Sequence, residues 1–279
     1  MIEVRDVTKR FGTTVALDAV SFRLGEGEIL GFLGPNGAGK STAMKIITTF
    51  LAPDEGTVTV AGIDVQEQPL AVRGRIGYLP ENVPLYVDMN VQEYLEFVGR
   101  ARGLQGPRLK ERLDWCVDAC ALGSELKKPI MELSKGFRQR TGLAQALIHD
   151  PDILILDEPT SGLDPLQILG IRDLIRSLAT KKSIIFSTHI LQEVPPVTDR
   201  VVIINEGRIV ADGRIGDLAR QTLGGDPLFE RDVDAAATTL ARGRAGELVE
   251  LHKSRIALED LFIALTKRSA AGRGVVRHV

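Results

Sequence analysis

The sequence has few of the residues that characterise disulfide-rich, zinc-binding or membrane-spanning proteins. Its 279 residues include only two cysteines, one tryptophan and 5% aromatic residues. Cys116 and Cys120 stand four positions apart in a helical pattern without a nearby histidine pair, so we expect reduced, structural thiols and no zinc site. No apolar run approaches the roughly 20 residues that cross a bilayer. The sequence therefore predicts a chain that does not itself span a membrane.

Charge of one sign is not in excess either. The net charge is −2, and lysine and arginine are dispersed, so composition gives no electrostatic reason to expect a nucleic acid or an anionic membrane surface as partner. The opening Met-Ile-Glu-Val-Arg-Asp has charges where a signal peptide has an apolar stretch, and we expect a cytosolic protein. A hydrophobic share of 44% is typical of a globular chain.

The apolar periodicity changes several times along the chain. Short β-like runs at 2–7, 20–24 and 29–33 precede a helical pattern at 41–50, and strand periodicity returns at 56–60. A helical insert then occupies about 90–135. Beyond it the pattern predicts, in order, a helix at 136–149, a strand at 153–157, a helix at 165–179, a strand at 183–187 and strands across 200–210.

This alternation of apolar strands and helices predicts an α/β fold with a mostly parallel sheet covered on both faces, and an antiparallel β segment near the N-terminus. We assign residues 1–220 to this domain, with the helical subdomain at about 90–135. Residues 221–279 are interpreted as a C-terminal extension with an amphipathic helix at 257–267.

A phosphate-binding loop follows the strand at 29–33 and begins the next helix, which is the context that a P-loop requires. Its glycines allow backbone N–H groups to surround phosphate oxygens, Lys40 would reach the β- and γ-phosphates of ATP, and Ser41 would bind Mg²⁺. The alternative is a glycine-rich turn with a helix-capping Lys-Ser pair. The expected phosphate-binding residues are Gly34, Pro35, Asn36, Gly37, Ala38, Gly39, Lys40, Ser41 and Thr42.

Two carboxylates end the apolar strand at 153–157. Parallel strands present their carboxyl ends at one edge of a sheet, so Asp157 and Glu158 would lie near the P-loop. Asp157 suits contact with Mg²⁺, and Glu158 would polarise the attacking water. Taken alone, the Asp-Glu pair is as consistent with a cap on the following turn.

A histidine lies at the same predicted edge, because His189 follows the strand at 183–187. His189 is a candidate to hydrogen-bond the γ-phosphate and to orient Glu158. The alternative is that His189, or Thr188 before it, only caps a helix. His149, at the end of a predicted helix, is expected only to complement the helix dipole. We assign no chemistry to His149, His252 or His278.

With these sites in this order, residues from about 2 to 220 closely resemble the ATP-binding subunits of ABC transporters. The segment from Leu133 to Arg140 resembles the signature loop of that family. Without the family, Leu-Ser-x-Gly is an ordinary helix N-cap. The resemblance implies a head-to-tail dimer in which Ser134 and Gly136 contact the γ-phosphate held by the partner subunit. It also implies that Phe11 stacks on adenine and that residues 161–164 form the D-loop.

Two features depart from the commonest pattern of the family. Glu81 stands where most relatives have glutamine; a carboxylate can still bind Mg²⁺ or a water, although its charge would oppose the γ-phosphate. Lys135 and Phe137 replace glycine and glutamine in the signature loop. Together these departures resemble the subgroup whose permease is a separate chain, many members of which are exporters.

The resemblance therefore implies an ATPase that uses ATP and Mg²⁺, forms a head-to-tail homodimer and binds an integral membrane permease at the inner face of the cell membrane. The permease would dock on the helical subdomain and the Glu81 loop. One alternative is an ABC ATPase of repair or translation, but long heptads and a second P-loop are missing. Another is a regulatory module without turnover, which the intact set of site residues disfavours.

Overall fold

The computed structural model describes residues 1–223 and 261–266. Within these ranges the strands are β1 (Ile2–Phe11), β2 (Thr14–Leu24), β3 (Ile29–Leu33), β4 (Glu55–Val60), β5 (Ile63–Asp64), β6 (Ile76–Leu79), β7 (Ile153–Asp157), β8 (Ser183–Thr188), β9 (Arg200–Asn205) and β10 (Arg208–Arg214). The α-helices are α1 (Lys40–Ile47), α2 (Pro69–Arg75), α3 (Val91–Ala101), α4 (Gly106–Ala119), α5 (Lys135–Leu147), α6 (Pro165–Ala179) and α7 (Ile215–Leu223).

The strands form two sheets. A six-stranded sheet has the order β10-β9-β3-β8-β7-β6, and only β10 runs antiparallel to its neighbour. A four-stranded antiparallel sheet has the order β2-β1-β4-β5. The predicted α/β class, with an antiparallel segment near the N-terminus, is confirmed.

The large sheet separates two hydrophobic clusters. Alternate residues of its strands point to opposite faces, so β7 contributes Leu154 and Leu156 to one cluster and Ile153 and Ile155 to the other. The second cluster also includes α1 and the inner face of the four-stranded sheet. This double coverage explains why the parallel strands are apolar without interruption.

Helices α3 and α4 form the inserted subdomain. Asn90 begins α3 with a capping box, in which its side chain accepts from the Glu93 backbone N–H at 2.9 Å and the Glu93 carboxylate accepts from the Asn90 N–H at 3.1 Å. Leu95 and Leu113 face the first cluster together with residues of α5. Short 3₁₀ helices at Gly123–Glu125 and Ile130–Glu132 lead from α4 to α5.

Part of the predicted C-terminal helix packs against the first cluster. Residues 261–266 are helical, and both Leu261 and Leu265 are buried in that cluster with Leu218 of α7. The rest of the predicted helix at 257–267 lies outside the described residues. Helix α7 crosses the boundary that we predicted at 220.

Several elements differ from the sequence expectations. The hairpin β1–β2 is longer because pairing continues through Lys9 with Leu17 to Phe11 with Thr14, where polar and apolar residues mix without a clear alternation, up to a turn at Gly12 with φ +57°. Helix α2 was not predicted because Val72 is its only buried residue.

No helix within the described ranges is long and apolar enough to cross a bilayer.

Candidate active site

The loop between β3 and α1 is closely packed at both ends and open in the middle. A Cβ atom on Gly34 would lie 2.5 Å from the Ile204 carbonyl oxygen, and one on Gly39 would lie 2.5 Å from the Ala16 carbonyl oxygen. Gly39 also has φ +108°, and Gly37, at φ +80°, has open space where a side chain would be. These positions require glycine, and the open middle leaves backbone N–H groups accessible to an anion.

The other loop residues divide into exposed and packed positions. Pro35 and Asn36 are exposed, while Ala38 is buried under the loop. Ser41 and Thr42 are half-buried in the first turn of α1, whose N-terminus contributes a partial positive charge. The nine residues predicted as the phosphate-binding loop therefore form one continuous segment with an exposed middle, from the end of β3 into the first turn of α1.

The Lys40 ammonium group lies folded back over this loop. It is buried and donates to the Gly34 carbonyl oxygen at 2.8 Å and to the Pro35 carbonyl oxygen at 3.3 Å. Its Nζ also lies 3.3 Å from Oε1 of Glu158. Among the described residues, this carboxylate is the one negatively charged partner of the Lys40 ammonium. A bound phosphate would compete with it.

Glu158 occupies the centre of the site. Its backbone has φ +51°, and its N–H donates to the carbonyl oxygen and the hydroxyl of Ser187, at 3.2 and 3.1 Å. Its carboxylate lies between Lys40 and His189, whose Nδ1 is 2.9 Å from Oε2.

The other acidic candidates lie at the same edge of the sheet. Asp157 is buried and accepts from the Ser187 hydroxyl at 2.5 Å. Glu81 is exposed and follows β6, which pairs with β7 through Leu79 and Leu156. Within the described residues no three His, Cys, Asp or Glu side chains form a metal cluster.

The signature-loop residues begin α5. The Ser134 hydroxyl caps the helix by accepting from the Phe137 N–H at 3.3 Å, and both Ser134 and Lys135 are exposed. A Cβ on Gly136 would lie 2.4 Å from the Gln167 side chain, so this glycine permits close packing against α6. Among the described residues, no recorded hydrogen bond or ion pair joins residues 134–136 to the P-loop.

Phe11 ends β1 at the tip of the hairpin. Its side chain is 49% exposed, and the Lys9 ammonium lies 5.8 Å from the ring centroid. About half of this side chain is therefore accessible to solvent.

Comparison with known proteins agrees with this geometry. A family profile described as "ABC transporter" matches residues 17–161. A relative named Nod factor export ATP-binding protein I, from Sinorhizobium fredii, is 36% identical over 96% of this chain and 86% of its own length. The chain belongs to the ABC transporter ATP-binding family.

Other members of the ABC family give the same result. The daunorubicin resistance ATP-binding protein DrrA3 of Streptomyces coeruleorubidus is 37% identical, over 81% of this chain and 71% of its own. A solved ATP-binding subunit of an ABC transporter superposes with a TM-score of 0.75 at 32% identity, covering 82% of this chain and 97% of that one. The chain is thus an ATP-binding subunit of an ABC transporter and an ATPase.

Sequence reasoning missed one residue of this ABC site and misjudged a histidine outside it. Ser187 holds both Asp157 and the backbone of Glu158, and its only sequence signal was its place at the end of a buried strand. The dipole role expected of His149 is wrong. Burial, followed by the charge of Arg102, lowers the pKa of His149 to about 4, so the ring is neutral, and its Nε2 lies 3.1 Å from the Ile76 carbonyl oxygen.

Proposed function

We propose that this ATP-binding subunit hydrolyses MgATP at two shared sites in a head-to-tail homodimer, and that the resulting closure and opening drive an exporting permease on a separate chain. The observation that carries the proposal is the position of Glu158 between Lys40 and His189. A buried carboxylate with these two partners has the placement of a general base beside a phosphate-binding loop.

The chemistry follows from these contacts. Backbone N–H groups of the P-loop bind the phosphates, and Lys40 exchanges the Glu158 carboxylate for the β- and γ-phosphates. Ser41 and Asp157 would hold Mg²⁺, with Glu81 as a further oxygen ligand at the sheet edge, and the ion would supply positive charge that neutralises the phosphates. Glu158, released from Lys40, accepts a proton from the attacking water, while His189 keeps its second carboxylate oxygen in place.

The shared site is supported by what one chain leaves exposed. Ser134 begins a helix whose first residues, Ser134 and Lys135, are exposed, and Gly136 lets this helix pack closely against α6, so this helix end can approach a γ-phosphate of a partner subunit. Phe11 presents an open face for adenine. A solved ATP-binding cassette described as a dimer with ADP and phosphate superposes with a TM-score of 0.70 at 26% identity, over 75% of this chain and 96% of its own.

The permease is proposed to dock beside the Glu81 loop. Tyr86 and Phe97 are exposed and lie in edge-to-face contact at 5.5 Å between ring centroids, and Tyr86 also contacts Tyr94 at 6.0 Å. Exposed, clustered aromatic rings are characteristic of interface anchors. Export is supported by two relatives, one named for Nod factor export and one for daunorubicin resistance.

In this proposal residues 1–220 are the ATPase domain and residues 221–279 an extension. The chain is held at the inner face of the cell membrane through the permease.

Complementation between two inactive variants tests the shared site. Ser134→Arg would spoil the signature loop offered to the partner, and Lys40→Ala would spoil the subunit's own P-loop. A mixed dimer would then have one site with both lesions and one intact site. We expect ATPase activity to return, up to about half the wild-type rate per mixed dimer if the sites act independently.

A matched mixture controls this experiment. Lys40→Ala with Glu158→Gln places a lesion in each site of the mixed dimer, so no activity should return. Equal inactivity of both mixtures, with all variants folded, would refute the shared site and favour a self-contained ATPase. Separately, purification of the tagged subunit from membranes should yield one integral membrane protein; its absence would refute the permease.

A further inference from the structure

The turn between β9 and β10 contacts the phosphate-binding loop from the side of the large sheet. It consists of Glu206 and Gly207, both with positive φ, and Gly207 is buried. The Gly207 N–H donates to the Ala38 carbonyl oxygen at 3.0 Å, and the Gly207 carbonyl oxygen accepts from the Asp18 N–H at 2.9 Å. One residue of the turn therefore joins the P-loop to β2.

This contact determines the direction of one N–H group in the loop. The peptide bond between Ala38 and Gly39 is trans, so its carbonyl oxygen and its N–H point in opposite directions. Because Gly207 binds the oxygen, the Gly39 N–H points away from the turn. Among the described residues, no recorded hydrogen bond gives this N–H an acceptor. It is therefore available to an anion on the side of the loop opposite the turn.

Close packing keeps the turn and the loop in this arrangement. A Cβ on Gly207 would lie 2.9 Å from the Ala16 carbonyl oxygen, and one on Gly39 would lie 2.5 Å from the same atom. Arg208, the residue after the turn, donates from Nε to the Asp18 carboxylate at 2.7 Å. The turn, the P-loop and β2 thus meet at one point, where there is no room for an additional side chain.

A second turn in the protein has the same backbone shape but makes no such contact. Ala61 and Gly62 join β4 to β5 with φ +51° and +79°, close to the +48° and +76° of Glu206 and Gly207. Gly62 is exposed, and a Cβ on it would have no atom within 4 Å. Both turns need positive φ, which favours glycine at the second position. Turn geometry alone therefore does not account for the hydrogen bond from Gly207 to Ala38.

We propose that Gly207 is a positioning residue for ATP binding, which holds the Ala38–Gly39 peptide so that the Gly39 N–H donates to a phosphate oxygen. This role rests on the proposed function, because it requires the P-loop to be the phosphate site. A donor whose direction is fixed before binding loses less conformational entropy when ATP arrives, and its hydrogen bond to a charged oxygen is stronger than one to a neutral acceptor. Without the turn, the peptide would be free to rotate and to bring its carbonyl oxygen towards the phosphate.

The test compares Gly207→Ala with Gly62→Ala. Alanine at either position has a disfavoured left-handed backbone, so both variants should melt at a lower temperature than the wild type. In titrations with EDTA, Gly207→Ala should bind ATP and inorganic pyrophosphate about tenfold more weakly or worse, as expected when one hydrogen bond to a charged group is lost. Gly62→Ala should bind both ligands like the wild type.

Pyrophosphate has no base or ribose, so it separates the P-loop from the rest of the nucleotide site. Wild-type affinity of a folded Gly207→Ala subunit would overturn the inference, as would equal weakening in Gly62→Ala. Weaker binding of ATP but not of pyrophosphate would also overturn it, because the defect would then lie outside the loop. If Lys40→Ala binds both ligands with unchanged affinity, the proposed P-loop itself is refuted.

A measurement on the wild-type subunit does not depend on the folding of a variant. In nuclear magnetic resonance spectra of isotope-labelled protein, a scalar coupling across the hydrogen bond should join the Gly207 amide nitrogen to the Ala38 carbonyl carbon. The Gly39 amide proton should move downfield when pyrophosphate binds. Absence of the coupling, or an unchanged Gly39 resonance in a subunit saturated with pyrophosphate, would refute the role of Gly207.

Discussion

Neutralising Glu158 tests the charge exchange on which the proposed mechanism depends. In the structure its carboxylate lies 3.3 Å from the Lys40 ammonium, and each side chain is 6% exposed. Losing a hydrogen bond to a charged group costs about 1.5–3 kcal/mol. We expect Glu158→Gln to lower the free energy of unfolding by an amount near this range. The loss should be smaller than that of a buried charge without any partner, because Lys40 keeps its two carbonyl acceptors. The melting temperature of the nucleotide-free subunit should fall by roughly 3–12 °C.

ATP should compensate for this loss. In the wild-type protein the phosphates must separate Lys40 from Glu158, whereas in the glutamine variant this pair no longer has to be broken. The variant should therefore bind ATP more tightly, by roughly tenfold to a hundredfold. Its turnover should nevertheless fall by roughly 10²- to 10⁴-fold, because the general base is lost.

The assay compares thermal unfolding and ATP titration in the presence of EDTA, which prevents hydrolysis during the measurement. Glu193→Gln is a suitable control, because Glu193 is also buried but accepts from the Thr188 hydroxyl at 2.8 Å instead of pairing with Lys40. If Glu158→Gln and the wild type melt at the same temperature and bind ATP equally, the exchange is refuted. Near-normal turnover would refute the assignment of the base.

Three further predictions use other parts of the structure. Lys40→Ala should weaken ATP binding and hydrolysis together, since the ammonium contacts phosphate in both the ground and transition states; a fluorescent-nucleotide titration with normal affinity would contradict this. Because the pKa of His149 is lowered to about 4, stability should be full above about pH 6.5 and decrease towards pH 4 by at most about 3 kcal/mol; urea unfolding should show a smaller decrease in His149→Gln. Gly37→Ala should lower the free energy of unfolding by about 1–2 kcal/mol, because residue 37 has a left-handed backbone. Gly39→Ala should lower it clearly more, since its Cβ would also lie 2.5 Å from the Ala16 carbonyl oxygen. Equal unfolding midpoints of the two variants in urea would refute the packing argument.

Elements with strong, continuous patterns were predicted closely. The strand at 29–33 and the helix at 165–179 have the same bounds in the structure as in the prediction. Both are defined by local features, namely a short apolar run between turn residues and a proline at the first helical position. Helix α2 escaped prediction because a surface helix with one buried residue has no apolar period to detect.

Contacts between segments that are far apart along the chain could be predicted from the sequence only in part. The order of the P-loop, the acidic strand end and His189 predicted that they meet, because parallel strands share one carboxyl edge. It did not predict that Lys40 is paired with Glu158, or that Ser187 binds both the Asp157 carboxylate and the Glu158 backbone. Those contacts depend on side-chain directions that sequence spacing does not determine.

The sequence by itself determined the α/β class, the family and the residue types at the nucleotide site, because motif chemistry and apolar periodicity are local properties. The tertiary structure alone decided the charge state of His149, the pairing of Lys40 with Glu158 and the contact of Gly207 with Ala38. Each of these depends on burial and on distances between segments remote along the chain, and such quantities arise only when the strands and helices pack together.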